Sequence, residues 1–238
     1  MKQYSGFLVK NSKAQKLKSC CLSDSYSLGS RHGGSMIQIY GSPKSSSGRC
    51  FWALEEVGAK YERVPLNFQT KEHKSEKYLK LNPNGKVPTL VDGDFKIFES
   101  VAINNYLAEK HMPALLGSNL QERALVQQWT AWALSELQPP MVRMLIQVFF
   151  VPADKRDASV MEKGKEEAVP LFKILDQHLA NHKYMVGDEF TLADINVASV
   201  VHIYAMIQLD ISECKNILRW LDLLKERPAF KRVAALDH

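Results

Sequence analysis

The residues best suited to chemistry lie within one short stretch, 82–100, which combines a proline turn, a hairpin and the start of a helix. Val87 precedes Pro88, and X-Pro is the only kind of peptide bond for which the cis form is readily accessible. A cis bond would turn the backbone of Val87 outward, since Pro88 has no N–H to give to a sheet. The N–H and C=O of Val87 would then be free to hold another peptide.

Charged and polar groups follow at the end of the same stretch. Ser100 stands where the N-cap of a helix belongs, and the unpaired N–H groups of a helix N-terminus favour a carboxylate. Glu99 beside it could take an ammonium group. Together these groups would suit a small zwitterionic peptide. The alternative is a plain hairpin followed by a capped helix, and these residues in isolation do not decide between the two.

The elements that position this stretch follow from the hydrophobic period and the turn residues. Residues 86–91 predict a strand, Asp92-Gly93 is a strong hairpin signal, and residues 95–98 predict the returning strand. A helix is predicted to follow Ser100. Upstream, the pattern predicts a strand over 37–40, a helix over 49–57 ended by Gly58, a strand over 61–68 and a short helical turn before Asn82. The resulting order, βαβαββα, is typical of a thioredoxin-like domain.

The remainder of the chain is predicted to be helical throughout. A long helix over 120–150 is expected to kink at Pro139-Pro140, and Thr191 with Asp194 forms a capping box that opens another helix, expected to run through Leu209. Further helices are predicted over 161–182, 217–227 and 230–235. The predicted organisation is a tail (1–35), an α/β thioredoxin-like domain (36–111), a linker (112–120) and an all-α helical bundle (121–238).

Composition narrows the class of protein. Of the 238 residues 31 are basic and 26 acidic, but the tail over 1–35 holds six basic residues and one acidic, which leaves 25 of each elsewhere. The net charge of +5 therefore comes from the tail and gives no reason to expect nucleic acid or a basic binding face on the folded part. No apolar run approaches the roughly 18 residues of a membrane-spanning helix. Four cysteines form neither a disulfide framework nor a metal-binding pattern, which fits a reducing, cytoplasmic compartment.

The tail has the composition of a flexible linker, because it is rich in Lys and Ser and ends in a Gly- and Ser-rich segment. We expect it to be a presequence or a cloning scar, with Met36 as the natural start. A native presequence would direct the protein to a plastid or another organelle.

A long pattern over residues 82–103, N-P-x-G-K-V-P-x-L-x-D-G-D-x-x-x-F-E-S-x-A-I, resembles the glutathione-binding segment of cytosolic glutathione transferases. The likeness continues upstream through residues 66–68 and 72–75 and downstream through residues 190–195. It covers the chain from about Met36 to the C-terminus, and the plant phi class is nearest, with theta-like and bacterial relatives close behind. The resemblance implies the glutathione transferase fold, glutathione as co-substrate and no metal.

The resemblance also implies a catalytic serine. Serine-type members place it just after the first strand, where Ser45 stands, and its hydroxyl would donate a hydrogen bond to the ionised thiol of glutathione. Such a bond together with a helix N-terminus would lower the pKa of the thiol by about two units, each worth 1.36 kcal/mol. Ser46 is the alternative, and spacing from Gly41 favours Ser45. Cys50 lies too far inside the helix for a catalytic thiol, so we interpret it as a core residue.

The resemblance also implies which residues bind glutathione. The resemblance assigns His73 and Lys74 to the glycine end of glutathione and Val87 to its cysteinyl backbone. It assigns Glu99 and Ser100 to the γ-glutamyl end. Lys86 stands where many members have glutamine, and a cation can still hold a carboxylate there. Val101, where phi-like sequences often carry arginine, and Gly48, early in a helix, depart from the pattern and predict altered dimer contacts.

The predicted function is therefore conjugation of the glutathione thiolate to a small hydrophobic electrophile, with reduction of organic hydroperoxides as a further activity. The electrophile is expected between the loop of Ser45 and the long helix, in a region that includes Trp132, Leu137, Met141, Met144 and Phe149. We expect a homodimer, with no nucleic-acid or membrane partner. A non-catalytic carrier of hydrophobic ligands and a transferase-like interaction module are the alternatives.

Overall fold

A computed structural model describes residues 36–236, in which a mixed β-sheet with its helices is followed by helices alone. The predicted tail over 1–35 lies outside the described residues. No helix between residues 36 and 236 combines the length and the apolar character that crossing a bilayer requires. The elements of the first part are β1 (Ile37–Tyr40), α1 (Gly48–Glu56), β2 (Tyr61–Val64), α2 (Glu76–Leu79), β3 (Thr89–Asp92), β4 (Phe95–Phe98) and α3 (Ser100–His111).

The sheet has the strand order β2-β1-β3-β4. β1 runs parallel to β2 and antiparallel to β3, so that Ile39 pairs with Arg63 on one side and with Leu90 on the other. β3 and β4 form the predicted hairpin, with Leu90 opposite Ile97. Ile39 and Leu90 are fully buried, and the centre of the sheet is therefore its core. The predicted βαβαββα order is confirmed.

α1 buries the apolar face that its sequence predicts. Phe51 and Leu54 are fully buried, and Gly58 follows the helix at a φ of 65°, in the left-handed conformation expected of a glycine cap. Gly48 is the first residue of α1. A glycine is required there because a Cβ atom would lie 2.4 Å from the carbonyl oxygen of Pro43. This departure from the family pattern thus has a local steric cause.

Three of the predicted boundaries in this part are wrong. The strand predicted over 86–91 begins only at Thr89, after the cis bond between Val87 and Pro88. The second strand was expected to extend to Phe68 but ends at Val64, because Pro65 has no N–H to donate to the parallel ladder. Ser100 was expected to be an N-cap, but it is the first residue of α3, and Glu99 occupies the cap position without a side-chain hydrogen bond. Glu99 has a φ of 72°, which only glycine adopts without strain.

The second part consists of α4 (Leu120–Trp132), α5 (Gln138–Phe149), α6 (Ala158–Leu179), α7 (Leu192–Val201), α8 (Ile203–Met206), α9 (Lys215–Lys225) and α10 (Pro228–Ala235). The long helix predicted over 120–150 is interrupted by a π-helical turn, Ala133–Leu137. Pro139 and Pro140 lack the N–H groups that would bond the carbonyls four residues earlier, which accounts for the interruption. The helix predicted to run from Thr191 through Leu209 is also divided, at His202.

The capping box at the start of α7 is confirmed and organises the core of the helical part. The side chain of Thr191 and the carboxylate of Asp194 satisfy each other's backbone N–H groups. Asp194 also accepts hydrogen bonds of 2.9 Å from the N–H of Met185 and from the indole of Trp220. Complete burial raises the pKa of Asp194 to about 6. These contacts support the prediction that Asp194 has a structural role.

The last of the described helices packs against the first. Arg227, which precedes α10, forms two hydrogen bonds of 2.7 and 2.8 Å with the carboxylate of Glu56, and Arg232 pairs with Glu55. The rings of Trp52 and Phe230 meet edge to face, with centroids 5.0 Å apart. The far end of α1 is therefore attached to α10.

Candidate functional site

Most of the predicted site residues surround one cavity of about 410 Å³, a size suited to a small ligand. It lies between the hairpin segment and the π-helical turn with the start of α5. Its wall on the hairpin side consists of Asn82, Lys86, Val87, Pro88, Glu99, Ser100 and Val101. Ser46, Leu134 and Gln138 complete the lining.

The backbone of Val87 forms part of this wall. The Val87–Pro88 peptide bond is cis, as the sequence analysis suggested. The carbonyl oxygen of Val87 accepts a hydrogen bond of 3.1 Å from the hydroxyl of Ser46. A peptide laid along the cavity would find this carbonyl as an acceptor, so that Ser46 and the peptide would compete for it.

A buried polar group fixes the backbone on the N-terminal side of Val87. The carbonyl oxygen of Lys86 accepts hydrogen bonds from the Tyr78 hydroxyl at 2.7 Å and from the Asn82 amide at 2.8 Å. Both donors also contact the hydroxyl of Thr89. Burial raises the pKa of Tyr78, so the phenol keeps the proton that it donates. The sequence analysis missed Tyr78 and Asn82, although a buried Tyr and Asn beside a proline turn indicate such an anchor.

Glu99 and Ser100 line the cavity at the point where β4 passes into α3. The left-handed backbone of Glu99 turns the chain from β4 into α3, and the carboxylate of Glu99 makes no ion pair within residues 36–236. The first N–H groups of α3 have no acceptor inside the helix. This part of the cavity wall offers both a carboxylate and backbone donors, which can bind an amino-acid head group.

His73 and Lys74 do not line the cavity but lie beside it. They occupy a 3₁₀ turn, Glu72–Lys74, which packs against Gly85. A Cβ atom at Gly85 would lie 2.8 Å from the His73 carbonyl oxygen and 2.8 Å from Nζ of Lys74. Lys74 donates to the carbonyl oxygen of Asn84 at 3.1 Å, and Nδ1 of His73 is buried without a partner in the described part of the chain. The backbone of His73 and the side chain of Lys74 thus lie against residues 84–85, next to Lys86 in the sequence, whereas the ring of His73 packs against Phe68.

Ser45 lies next to the cavity without reaching it. Its hydroxyl lies 2.7 Å from the carbonyl oxygen of Ser42, to which it donates, and 2.9 Å from the buried hydroxyl of Ser47. Its oxygen accepts the N–H of Ser47, at the mouth of α1. The serine that lines the cavity in this structure is Ser46.

The helical wall of the cavity differs from the predicted region. Leu137, Met141 and Met144 are fully buried in the helical core and were wrongly included in that region. Leu134 and Gln138, one turn apart, face the cavity instead. Gln138 accepts a 3.0 Å hydrogen bond from Arg49 of α1, a buried residue that the sequence analysis did not single out.

Thiol and metal chemistry receive no support from the described residues. Cys50 is fully buried, and burial raises the pKa of its thiol far above the ordinary value, so its interpretation as a core residue is confirmed. No cluster of three His, Cys, Asp or Glu side chains within 36–236 is suitable for a metal ion. A larger cavity of about 640 Å³, between α6 and the segment 209–214, is lined by none of the predicted site residues.

Family models match both parts of the chain. The model described as "Glutathione S-transferase, N-terminal domain" matches residues 35–109, and the one described as "Glutathione S-transferase, C-terminal domain" matches residues 139–228. Among curated proteins, "Glutathione S-transferase 1" of Zea mays is 37% identical over 206 residues, which cover 84% of this chain and 96% of the relative. "Glutathione S-transferase F9" of Arabidopsis thaliana is 32% identical, over 84% of this chain and 97% of the relative.

Solved structures agree in fold. Glutathione S-transferase-I bound with lactoylglutathione superimposes with a TM-score of 0.78 at 36% identity, covering 85% of this chain and all of the other. A theta class glutathione S-transferase from Xanthomonas axonopodis pv. citri, with glutathione bound, gives a TM-score of 0.78 at 31% identity, over 82% of this chain and 95% of the other. The arrangement of a mixed sheet followed by a helical bundle is therefore shared with these proteins.

Proposed function

The chain belongs to the glutathione S-transferase family, and from this premise we propose that it conjugates the thiolate of glutathione to hydrophobic electrophiles. The sulfur forms a bond to an electrophilic carbon. In a substitution the leaving group departs with the electron pair of its bond, and in an addition the π electron pair moves to another atom of the electrophile, which is then protonated. The rate gain comes from the larger thiolate population and from holding the two reactants together. That the relatives are named as transferases favours this function over a non-catalytic carrier.

The observation that carries the proposal is the convergence of Lys86, Val87, Glu99 and Ser100 on one cavity. Glutathione is a zwitterionic tripeptide with an extended backbone, two carboxylates and one ammonium group. The outward backbone of Val87 suits its cysteinyl peptide groups. Glu99 suits its ammonium group, and the N-terminus of α3 at Ser100 suits the neighbouring carboxylate.

The glycine end of glutathione is assigned to the cations on the other side of Val87. Lys86 is exposed and has no acidic partner within the described residues, so its charge is available to a carboxylate. His73 and Lys74 lie beside Gly85, one residue before Lys86. Lys86, His73 and Lys74 are therefore assigned to the glycine carboxylate and Glu99 to the ammonium group, which gives the proposed direction of the bound tripeptide.

Ser45 is proposed as the residue that stabilises the thiolate. Two features support this role of Ser45. It stands four residues after Gly41, where the family pattern has the catalytic serine, and it lies at the mouth of α1, where its oxygen accepts the N–H of Ser47. To act, its proton has to leave the Ser42 carbonyl and turn to the sulfur. Ser46 is the competing assignment, supported by its contact with the cavity.

Several wider properties are proposed with this function. The same thiolate would reduce an organic hydroperoxide, yielding the alcohol, water and the disulfide of two glutathione molecules. We expect a homodimer in the cytoplasm and a role in detoxification and stress response, without a metal. These expectations rest on the family and on the reducing environment that the cysteine content indicates.

The test is conjugation by the purified full chain. Formation of the thioether from glutathione and 1-chloro-2,4-dinitrobenzene is followed by absorbance, and binding of glutathione is measured separately by calorimetry. Both binding and turnover are expected. Binding without turnover, on this electrophile and on cumene hydroperoxide alike, would favour a carrier, and an absence of binding would overturn the assignment of the cavity.

A further inference from the structure

Arg49 carries a buried charge for which the described residues supply no counter-charge. It belongs to α1 and is only 4% exposed, yet residues 36–236 contain no carboxylate within ion-pair distance of it. Its Nε and Nη1 atoms have no hydrogen-bond partner in that part of the chain. A buried guanidinium normally has both a counter-charge and a full set of acceptors. Arg49 is therefore unfavourable for stability where it stands.

Within the described residues, the guanidinium of Arg49 has one hydrogen-bond partner, the side chain of Gln138. Nη2 of Arg49 donates to Oε1 of Gln138 at 3.0 Å. A guanidinium has only donors, so the oxygen of the Gln138 amide has to be the atom that faces it. The Nε2 group of the same amide therefore points away from Arg49. Nε2 has no hydrogen-bond partner within residues 36–236, and Gln138 lines the cavity.

Gln138 belongs to the wall of the cavity that is not assigned to glutathione. Leu134 and Gln138 form the helical wall, opposite the Val87 backbone and the end of β4 that are assigned to glutathione. Ser46 lies between the two walls. A compound attacked by a sulfur near the serine loop would thus have Leu134 as its apolar contact and the Nε2 group of Gln138 as its hydrogen-bond donor.

We propose that Gln138, oriented and polarised by the buried guanidinium of Arg49, donates a hydrogen bond to an acceptor oxygen of the electrophile and thereby selects α,β-unsaturated carbonyl compounds. This inference rests on the proposed function of the cavity. Gln138 determines specificity, and Arg49 is a positioning residue that acts through it. The positive charge behind the amide makes its N–H groups stronger donors than those of a free glutamine.

The chemistry of these substrates explains why a donor at this place has an effect on rate. The thiolate sulfur forms a bond to the β carbon, the C=C π bond breaks, and its electron pair moves to the carbonyl oxygen as an enolate. A proton from water then reaches the α carbon and completes the thioether. Negative charge develops on the oxygen only during the addition, so a donor placed there stabilises the transition state more than the substrate.

A displacement at a saturated carbon supplies the comparison. In benzyl chloride the sulfur forms the C–S bond, the C–Cl bond breaks and chloride leaves, and no oxygen acquires charge. The aromatic ring can occupy the same apolar wall as that of 4-phenyl-3-buten-2-one. The ratio of kcat/KM for the enone to kcat/KM for benzyl chloride therefore isolates the contribution of the donor.

The experiment measures this ratio at saturating glutathione for the wild type and for Gln138→Leu, Gln138→Glu and Arg49→Met. Gln138→Leu is expected to lower the ratio about tenfold or more, as loss of one oxyanion donor does elsewhere. Gln138→Glu keeps the shape but offers acceptors, so it is expected to lower the ratio similarly. Arg49→Met is expected to lower it less, with partial recovery in Arg49→Lys. Gln128→Leu, at an exposed position of α4, is the matched control and leaves the ratio unchanged.

Thermal unfolding separates this role from a structural one. Since the charge of Arg49 is uncompensated, Arg49→Met and Gln138→Glu are expected to keep or raise the melting temperature while they lower the ratio. Equal loss of both activities in Gln138→Leu, or an unchanged ratio, would overturn the inference while leaving the proposed function intact. A wild type that conjugates neither compound, nor 1-chloro-2,4-dinitrobenzene, would overturn both.

Discussion

The hydroxyl of Ser46 donates a hydrogen bond to the carbonyl oxygen of Val87, 3.1 Å away, across 41 residues of sequence. It joins the loop after β1 to the backbone that is assigned to the cysteinyl part of glutathione. The proton of Ser46 is thus engaged in the free protein, and so is that of Ser45, which lies on the Ser42 carbonyl. For either serine to donate to the glutathione sulfur, as we propose, its present hydrogen bond has to break.

Alanine variants distinguish the two serines. We expect Ser45→Ala to lower kcat/KM for 1-chloro-2,4-dinitrobenzene by about tenfold or more, because the thiolate loses its donor. Its pH profile should move to higher pH, since removing that donor raises the pKa of the bound thiol. Ser46→Ala should change kcat/KM by less than about threefold. Steady-state rates between pH 6 and 9 test both, and the reverse order would transfer the catalytic role to Ser46.

The contact between Gly85 and the Glu72–Lys74 turn predicts a specific loss of glutathione affinity. Gly85→Ala puts a Cβ at a φ of 56° and within 2.8 Å of the His73 carbonyl, so the turn has to move. We expect the KM for glutathione to rise several-fold, with a smaller change in kcat. The reason is that the contacts that are lost bind glutathione in the ground state as well as in the transition state. Steady-state kinetics with varied glutathione measure this.

Gly58→Ala is the matched control for Gly85→Ala. Gly58 also has a positive φ, of 65°, but nothing lies within 4 Å of the added Cβ. The backbone strain of about 1 kcal/mol is therefore similar in both variants, and only Gly85→Ala adds a collision near the site. An equal rise in KM for glutathione in both would show that the turn is not part of the binding site.

The burial of Cys50 predicts an inert thiol. Because burial raises its pKa, the thiolate that alkylating reagents require is absent at neutral pH. In the folded protein at pH 8, iodoacetamide should leave the Cys50 peptide unmodified in a mass spectrum and should modify it after unfolding in urea. Cys50→Ala should retain kcat/KM within about twofold. A strong loss of turnover in that variant would revive a cysteine mechanism.

The cluster of Asp92, Tyr106 and Lys110 predicts a pH-dependent contribution to stability. Burial raises the pKa of Asp92, but hydrogen bonds from Lys110 and from Tyr106, at 2.7 Å, outweigh it, so the pKa lies below its usual 3.8. The contribution is complete above 3.8 and is lost as the pH falls through the lower folded value. Asp92→Asn should therefore lower the free energy of unfolding by about 1 kcal/mol at pH 7 and progressively less below pH 3.8.

Urea titrations monitored by tryptophan fluorescence at several pH values measure this difference. Asp94→Asn is the control, since Asp94 lies in the same hairpin, is exposed and forms no ion pair in the described part of the chain. A deficit for Asp92→Asn that stays constant from pH 7 down to pH 3 would show that its cause is not ionic.

Local sequence signals were sufficient for much of the fold. The strands over 37–40 and 95–98, the glycine after α1 and the Thr191 capping box each depend on a few adjacent residues, and all are confirmed. The family resemblance is confirmed by both family models. The error at β2 was avoidable, because Pro65 is visible in the sequence.

The remaining errors arise where tertiary structure overrides local preference. The residue type of Glu99 gives no reason to expect a positive φ. Because the chain turns at Glu99, the N-cap of α3 is Glu99 and not Ser100. The apolar stripe of Leu137, Met141 and Met144 correctly indicates a buried face, but spacing alone does not say whether that face lines a site. Arg49 was overlooked because arginine is normally a surface residue.

The attachment of α10 to α1 has a consequence for biosynthesis. The helix that begins immediately after the serine loop is held by Arg227, which binds Glu56 from 171 residues further along the chain, and by Phe230, which packs on Trp52. A nascent chain that has been synthesised only as far as the hairpin still lacks these contacts with α1. We therefore expect the proposed glutathione site to reach its final structure only once translation has passed Phe230.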